Sequence, residues 1–218
     1  MAHSKGALSV SGTLIESELA DGLTGAHNTL LLAPSFVGDE EGACIGLLSP
    51  ETAAEQNVLL VSYTKAPDVQ LRRWQAHSNQ RPANLGIISV EDSTRSVAAA
   101  SGGSDAMGPA GPVETVSNPN DLTGLGIRIT EFLTRWDDDH QTVVCLDSLT
   151  ALLQYVDLET AYEFLHIITG RLSAVGAKAH FHMDPGAHDD QTVESIVSLM
   201  DAVVEVNDDG HEIRTRNF

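Results

Sequence analysis

Five short, almost unbroken apolar runs, set between stretches of helical periodicity, constrain this chain more than anything else in it. They are residues 28–33 (NTLLLA), 57–62 (NVLLVS), 85–90 (LGIISV), 142–146 (TVVCL) and 178–183 (KAHFHM). A strand with one wet face alternates apolar and polar residues, whereas a continuous run needs cover on both faces, as in a parallel sheet. The intervening segments supply that cover. Leu122, Leu125, Ile129, Phe132, Leu133 and Trp136 make one apolar helical face behind the start signal Asn118-Pro119. Leu158, Ala161, Tyr162, Leu165, Ile168 and Leu172 make a second that ends near Gly176, and Val193, Ile196, Val197 and Met200 make a third. Such alternation implies right-handed βαβ units. The end of the chain breaks the pattern: residues 202–206, the turn Asn207-Asp208-Asp209-Gly210 and residues 211–216 read as an antiparallel hairpin at the sheet edge. The expectation is a single α/β domain over residues 1–218, a mostly parallel sheet with helices on both faces and a C-terminal β-hairpin. Residues 97–117, rich in Ala, Gly, Ser and Pro, read as a mobile loop inserted into it.

Charge decides which partners such a domain accepts. Asp and Glu number 31 against 12 Lys and Arg, a formal charge of −19. No acidic run is longer than that of Asp137-Asp138-Asp139, so the charge is spread over the chain and not gathered in a tail. Carboxylates so distributed suit a surface hydrated in concentrated salt, where a Debye length of about 3 Å screens their repulsion. The composition reads as that of a halophilic protein, and it excludes bare nucleic acid and anionic membrane surfaces as partners. No apolar stretch reaches the roughly 18 residues that span a bilayer, and the start MAHSKGALSV has no apolar export core. The expected location is the cytoplasm, with reduced thiols. Cys44 and Cys145 lie within apolar runs and read as small buried hydrophobes, in preference to a disulfide or a metal site.

Four segments together resemble the RecA-like (P-loop NTPase-like) ATPase core, and specifically its KaiC-like branch. LLLAPSFVGDEEGACIGLL stands where the first strand, phosphate loop and first helix would fall, and VLLVSYTKAPDVQLRRW looks like the second strand and its helix. TVVCLDSLTALL is similar to a Walker B strand, and AHFHMDPGAHDDQTVESIVSLMDAVVEV resembles the fifth strand, helix and sixth strand. The whole also looks like a haloarchaeal family of uncharacterised KaiC-related proteins, sometimes labelled transducer-like. The resemblance implies a three-layer RecA-like fold.

The chemistry of that family needs three parts, and the chain departs from two of them. A phosphate loop ends in Gly-Lys-Ser/Thr, so that amides and the lysine hold phosphate while the hydroxyl binds magnesium. Here Val37-Gly38-Asp39-Glu40-Glu41-Gly42-Ala43-Cys44 occupies the place, and no Lys or Arg occurs between Lys5 and Lys65. At an effective dielectric of about 20, one like-charge contact at about 4 Å costs about 4 kcal/mol. A helix N-terminus returns about 1–2 kcal/mol to a bound anion, so repulsion wins. A catalytic carboxylate belongs just after the second strand, where Thr64 and Lys65 stand. Only the metal-supporting aspartate, Asp147, remains. With Ser148 it equally suits capping of the turn after the strand, which is the favoured reading.

Other side chains carry weaker signals. His180 and His182 are two apart on a strand and share a face, with Asp184 following at the carboxyl end, where open α/β sheets bind ligands. Together these three could hold a divalent metal. The plainer expectation is that the histidines are buried and hydrogen-bonded, that Asp184-Pro185-Gly186 is a turn, and that Asp189 caps the next helix. Lys65, Arg72 and Arg73 form a basic cluster, expected to pair with surface carboxylates. Trp74 and Trp136 read as core.

The functional expectation is a non-hydrolytic KaiC/RecA-like protein, regulatory or scaffolding, acting in signalling through a protein partner. That partner is another RecA/KaiC-like protein or a second copy of this chain. No catalytic residue, metal or cofactor is expected. One alternative is an atypical ATP-binding protein or ATPase that uses ATP and magnesium at Asp147, Ser148 and Lys65. Another is a small-ligand or metal sensor at the strand ends, around His180, His182 and Asp184.

Overall fold

The computed structural model describes residues 22–34, 40–48, 50–77, 81–91, 112–136, 140–207 and 210–215. The apolar runs form strands β1 (Asn28–Leu32), β2 (Gln56–Ser62), β3 (Asn84–Val90), β5 (Gln141–Asp147) and β6 (Lys178–Met183). With β4 (Val113–Val116), β7 (Ala202–Asn207) and β8 (Gly210–Thr215) they build one eight-stranded sheet in the order β4-β3-β2-β5-β6-β1-β7-β8. Every pairing is parallel except β7 with β8, which is the antiparallel C-terminal hairpin. The fold class expected from the sequence is the one observed.

Strand β4 corrects one expectation. Residues 97–111 of the supposed loop lie outside the described residues, but Val113–Val116 pairs with β3 and forms the sheet edge. Glu114 anchors this edge through Arg128 at 3.4 Å and Arg135 at 3.1 Å.

The helices are α1 (Glu40–Leu47), α2 (Pro67–His77), α3 (Leu122–Arg135), α4 (Leu149–Leu152), α5 (Leu158–Ala174) and α6 (Asp190–Val197). Asp121, Asp157 and Asp189 start α3, α5 and α6 by accepting the backbone N–H of Gly124, Thr160 and Thr192. Alternation along each strand splits the core in two. Leu30, Leu32, Leu59, Ile88, Leu146 and Phe181 face the layer of α3, α5 and α6. Leu31, Leu60, Ile87 and Cys145 face the layer that contributes Cys44, Leu48 and Trp74. Trp74 and Trp136 are both core residues. Gly86 lets α3 approach the sheet, because a Cβ there would meet the Phe132 ring at 2.4 Å.

Candidate functional site

The site lies at the carboxyl ends of the central strands, beneath the start of α1, and has two joined groups of side chains. The first centres on Asp147, the last residue of β5, which is 4% exposed. Parallel pairing of β2 with β5 sets Ser62 beside Asp147. Beyond Ser62 the chain turns back, and the Ser62 hydroxyl accepts the backbone N–H groups of Thr64 at 3.2 Å and Lys65 at 2.8 Å. That turn delivers the Lys65 ammonium to Asp147 Oδ2 in a direct ion pair. Thr64 Oγ1 donates to the same oxygen at 3.3 Å, and Arg73 Nη1 stands 3.9 Å from it. Arg73 also reaches Glu41 at 3.1 Å, so α2 is linked to the start of α1.

Lys65 and Asp147, candidates for the alternative nucleotide site, are therefore brought together, but to bind each other. Ser148 does not join them; its hydroxyl accepts the Ala151 N–H at 3.2 Å and caps α4, as the capping expectation has it. The basic cluster divides, since Arg72 pairs with Asp68 at 2.7 Å on the surface while Arg73 turns inward. Asp39 lies outside the described residues.

The second group is buried between α1 and the sheet. On β6, His180 and His182 share a face, as their spacing requires, with ring centroids 5.2 Å apart. Register places Cys145 of β5 beside His180. Cys44 descends from α1, one turn after Glu40. Cys44 Sγ is 3.8 Å from Cys145 Sγ and 3.4 Å from His180 Nε2, and Cys145 Sγ is 3.4 Å from His182 Nε2. The other nitrogen of His182, Nδ1, meets Glu40 Oε1 at 2.7 Å. All four Cys and His residues are buried, at 2–3% exposure.

Their proton affinities are shifted in opposite directions. Hydrogen bonding to Cys145 and the two nearby imidazoles hold the Cys44 thiol well below its usual range, against the effect of burial. Cys145 is pushed up by that same hydrogen bond and by burial. Burial lowers His180. Burial also opposes a proton on His182, but the charge of Cys44 and the Glu40 contact outweigh it and push His182 up to about 10.

The expected third ligand, Asp184, is not part of this group. Its carboxylate accepts the Gly186 N–H at 2.9 Å and caps the short turn Pro185–Ala187. Asp189 caps α6, and His188 faces the Thr150 hydroxyl at 3.3 Å. Cys44 and Cys145, which in sequence look like plain buried hydrophobes, are the members that local reasoning misses. They are buried, as expected, but against the two histidines and not in a purely apolar surrounding. Cys145 shares the parity of Asp147 on β5, which is a readable signal once β5 and β6 are known to be neighbours.

A model of the family described as a family of unknown function, DUF7504, matches residues 26–206, and the chain belongs to that family. Two solved structures from Pyrococcus horikoshii share the fold. One, a structural study of PH0250, superposes with a TM-score of 0.58 at 12% identity, covering 92% of this chain and 91% of that one. The other, the uncharacterised protein PH0321 in complex with an unknown peptide, gives 0.57 at 12% identity, covering 91% and 88%. No curated protein matches.

Proposed function

We propose that this member of a family of unknown function is a non-hydrolytic KaiC/RecA-like protein that works by binding other proteins. The observation that carries the reading is the closure of Asp147. In an ATPase of this type that carboxylate supports the metal of a bound nucleotide, so it must be open towards the ligand. Here it is buried, and its Oδ2 receives Lys65 and Thr64 with Arg73 close by. The nearby carboxylates are also engaged internally, Glu40 with His182 and Glu41 with Arg73. An incoming triphosphate would have to break these pairs and then face the acidic first turn of α1.

A domain of this shape with a closed nucleotide face retains surfaces for association, and its partner in this proposal is a RecA/KaiC-like protein or a second copy of the chain. PH0321, which shares the fold, is in complex with an unknown peptide, and binding of that class is in keeping with the proposal. The excess of 31 acidic over 12 basic residues supports a halophilic setting. Among the described residues no helix is long and apolar enough to cross a membrane.

Isothermal titration of ATP with magnesium at molar KCl tests the reading. No heat and no rise in melting temperature are expected. Measurable affinity that disappears in Asp147→Ala would overturn it in favour of an atypical nucleotide site. Sedimentation of the chain alone, then mixed with RecA/KaiC-like proteins of the same cell, tests the partner.

A further inference from the structure

The buried Cys and His group is built like a metal site. We propose that Cys44, Cys145, His180 and His182 bind a structural zinc ion that ties α1 to β5 and β6. Zinc bonds of about 2.3 Å to sulfur and about 2.0 Å to nitrogen, arranged tetrahedrally, put two sulfurs about 3.8 Å apart and sulfur and nitrogen about 3.5 Å apart. The observed separations are 3.8 Å for the sulfurs and 3.4 Å for two sulfur–nitrogen pairs, Cys44 with His180 and Cys145 with His182. All the ligand atoms lie within 4.8 Å of one another, close enough for a small movement to bring them around one ion. Two thiolates and two neutral imidazoles form a borderline-soft donor set that suits zinc, and the thiolate charges neutralise the dication.

The surroundings complete the case. A metal-bound imidazole typically gives its other N–H to a carboxylate, which fixes the tautomer and strengthens the ligand. His182 does this, with Nε2 towards the sulfurs and Nδ1 on Glu40 at 2.7 Å. Glu40 and Asp147 also come near His182, but Asp147 is engaged by Lys65, so they form an outer layer to this site and not a second one. Four protein donors fill a tetrahedral shell and all four are buried, so no position is left for water or substrate and the site is structural. Its effect is positional: the ion fastens the first turns of α1 over the sheet, work that bound phosphate does where a phosphate loop is intact. The assignment does not depend on whether nucleotide binds.

The test uses the full chain without a histidine tag, purified under reducing conditions. Elemental analysis is expected to find stoichiometric zinc that survives gel filtration. Replacement by cobalt is expected to give intense tetrahedral d–d bands with thiolate-to-cobalt charge transfer. Cys44→Ser and His180→Gln should each lose the bound metal, while Asp184→Asn should retain it. Should a variant fail to fold, the metal content and cobalt spectrum of the unaltered chain still decide. Metal-free protein, an octahedral cobalt spectrum without charge transfer, or a Cys44–Cys145 disulfide in peptide mapping would each overturn the proposal.

Discussion

The Lys65 ammonium donates directly to Asp147 Oδ2, joining the turn after β2 to the end of β5. The aspartate side chain is 5% exposed and the lysine 29%, so the charge that depends on this contact is the buried one. Removing Lys65 leaves the buried carboxylate only the Thr64 hydroxyl and Arg73 at 3.9 Å, so the cost falls at the low end for a broken buried pair, about 3 kcal/mol. Lys65→Met is expected to lose about that much, read from the urea midpoint. Adding Asp147→Asn in the same chain should recover most of the loss, because no buried charge is then left uncompensated. A Lys65→Met chain as stable as the parent would show that the pair does not form in solution.

Gly86 should tolerate no side chain. A Cβ at this position would lie 2.4 Å from Phe132 and 2.9 Å from Trp136, both held in the core. Alanine ordinarily improves a strand glycine by limiting the unfolded chain, but overpacking here costs about 1–3 kcal/mol and dominates. Thermal unfolding of Gly86→Ala is expected to show the loss, and Phe132→Leu in the same chain should relieve part of it.

The fold was legible where periodicity carries it, and the site only where its residues are close in sequence. A continuous run such as NVLLVS, around Leu59 and Leu60, announces a strand buried on both faces, and those residues are core. Strand β4 was not legible, because only Val113 and Val116 are apolar in it and it follows a Gly- and Pro-rich stretch. The shared face of His180 and His182 follows from a spacing of two. Their meeting with Cys145 follows from β5 lying beside β6, and with Cys44 from how α1 sits on the sheet; neither is written in local sequence. Asp184 misled because proximity along the chain stood in for proximity in space. The Pro185-Gly186 turn takes its carboxylate to a backbone N–H instead.

Two helix caps give the stability an acid limb. Asp157 and Asp189 accept the N–H groups of Thr160 and Thr192, and these bonds hold both carboxyls below their ordinary range. A depressed carboxyl contributes stability that is present above the unfolded-state value, about 4, and is lost as pH falls through the lower native value. Asparagine caps nearly as well but does not titrate. Asp157→Asn is therefore expected to match the parent at low pH better than at neutral pH, with a flatter profile of melting temperature against pH. An unchanged profile would place the acid sensitivity elsewhere.

Salt should stabilise this chain more than an ordinary protein of its size. The formal charge is −19, and self-repulsion at that charge acts against the compact state. Screening shortens from about 10 Å at 0.1 M salt to about 3 Å near 1 M. The melting temperature is expected to climb steeply with KCl up to molar concentrations, and full stability in dilute buffer would contradict the halophilic reading.

Glu40 offers the finest probe of the buried site, because it touches His182 without belonging to the four donors. Its carboxylate lies 2.7 Å from His182 Nδ1 and is a third exposed, so alanine can replace it without opening the core. Loss of such an outer carboxylate typically weakens a metal site by about 10- to 100-fold. Glu40→Ala is expected to bind zinc that much more weakly in competition with a chromophoric chelator, while cobalt retains its tetrahedral spectrum. The combination separates the roles: unchanged affinity would mean that Glu40 does not support the ligand, and a changed spectrum would mean that it had been a ligand itself.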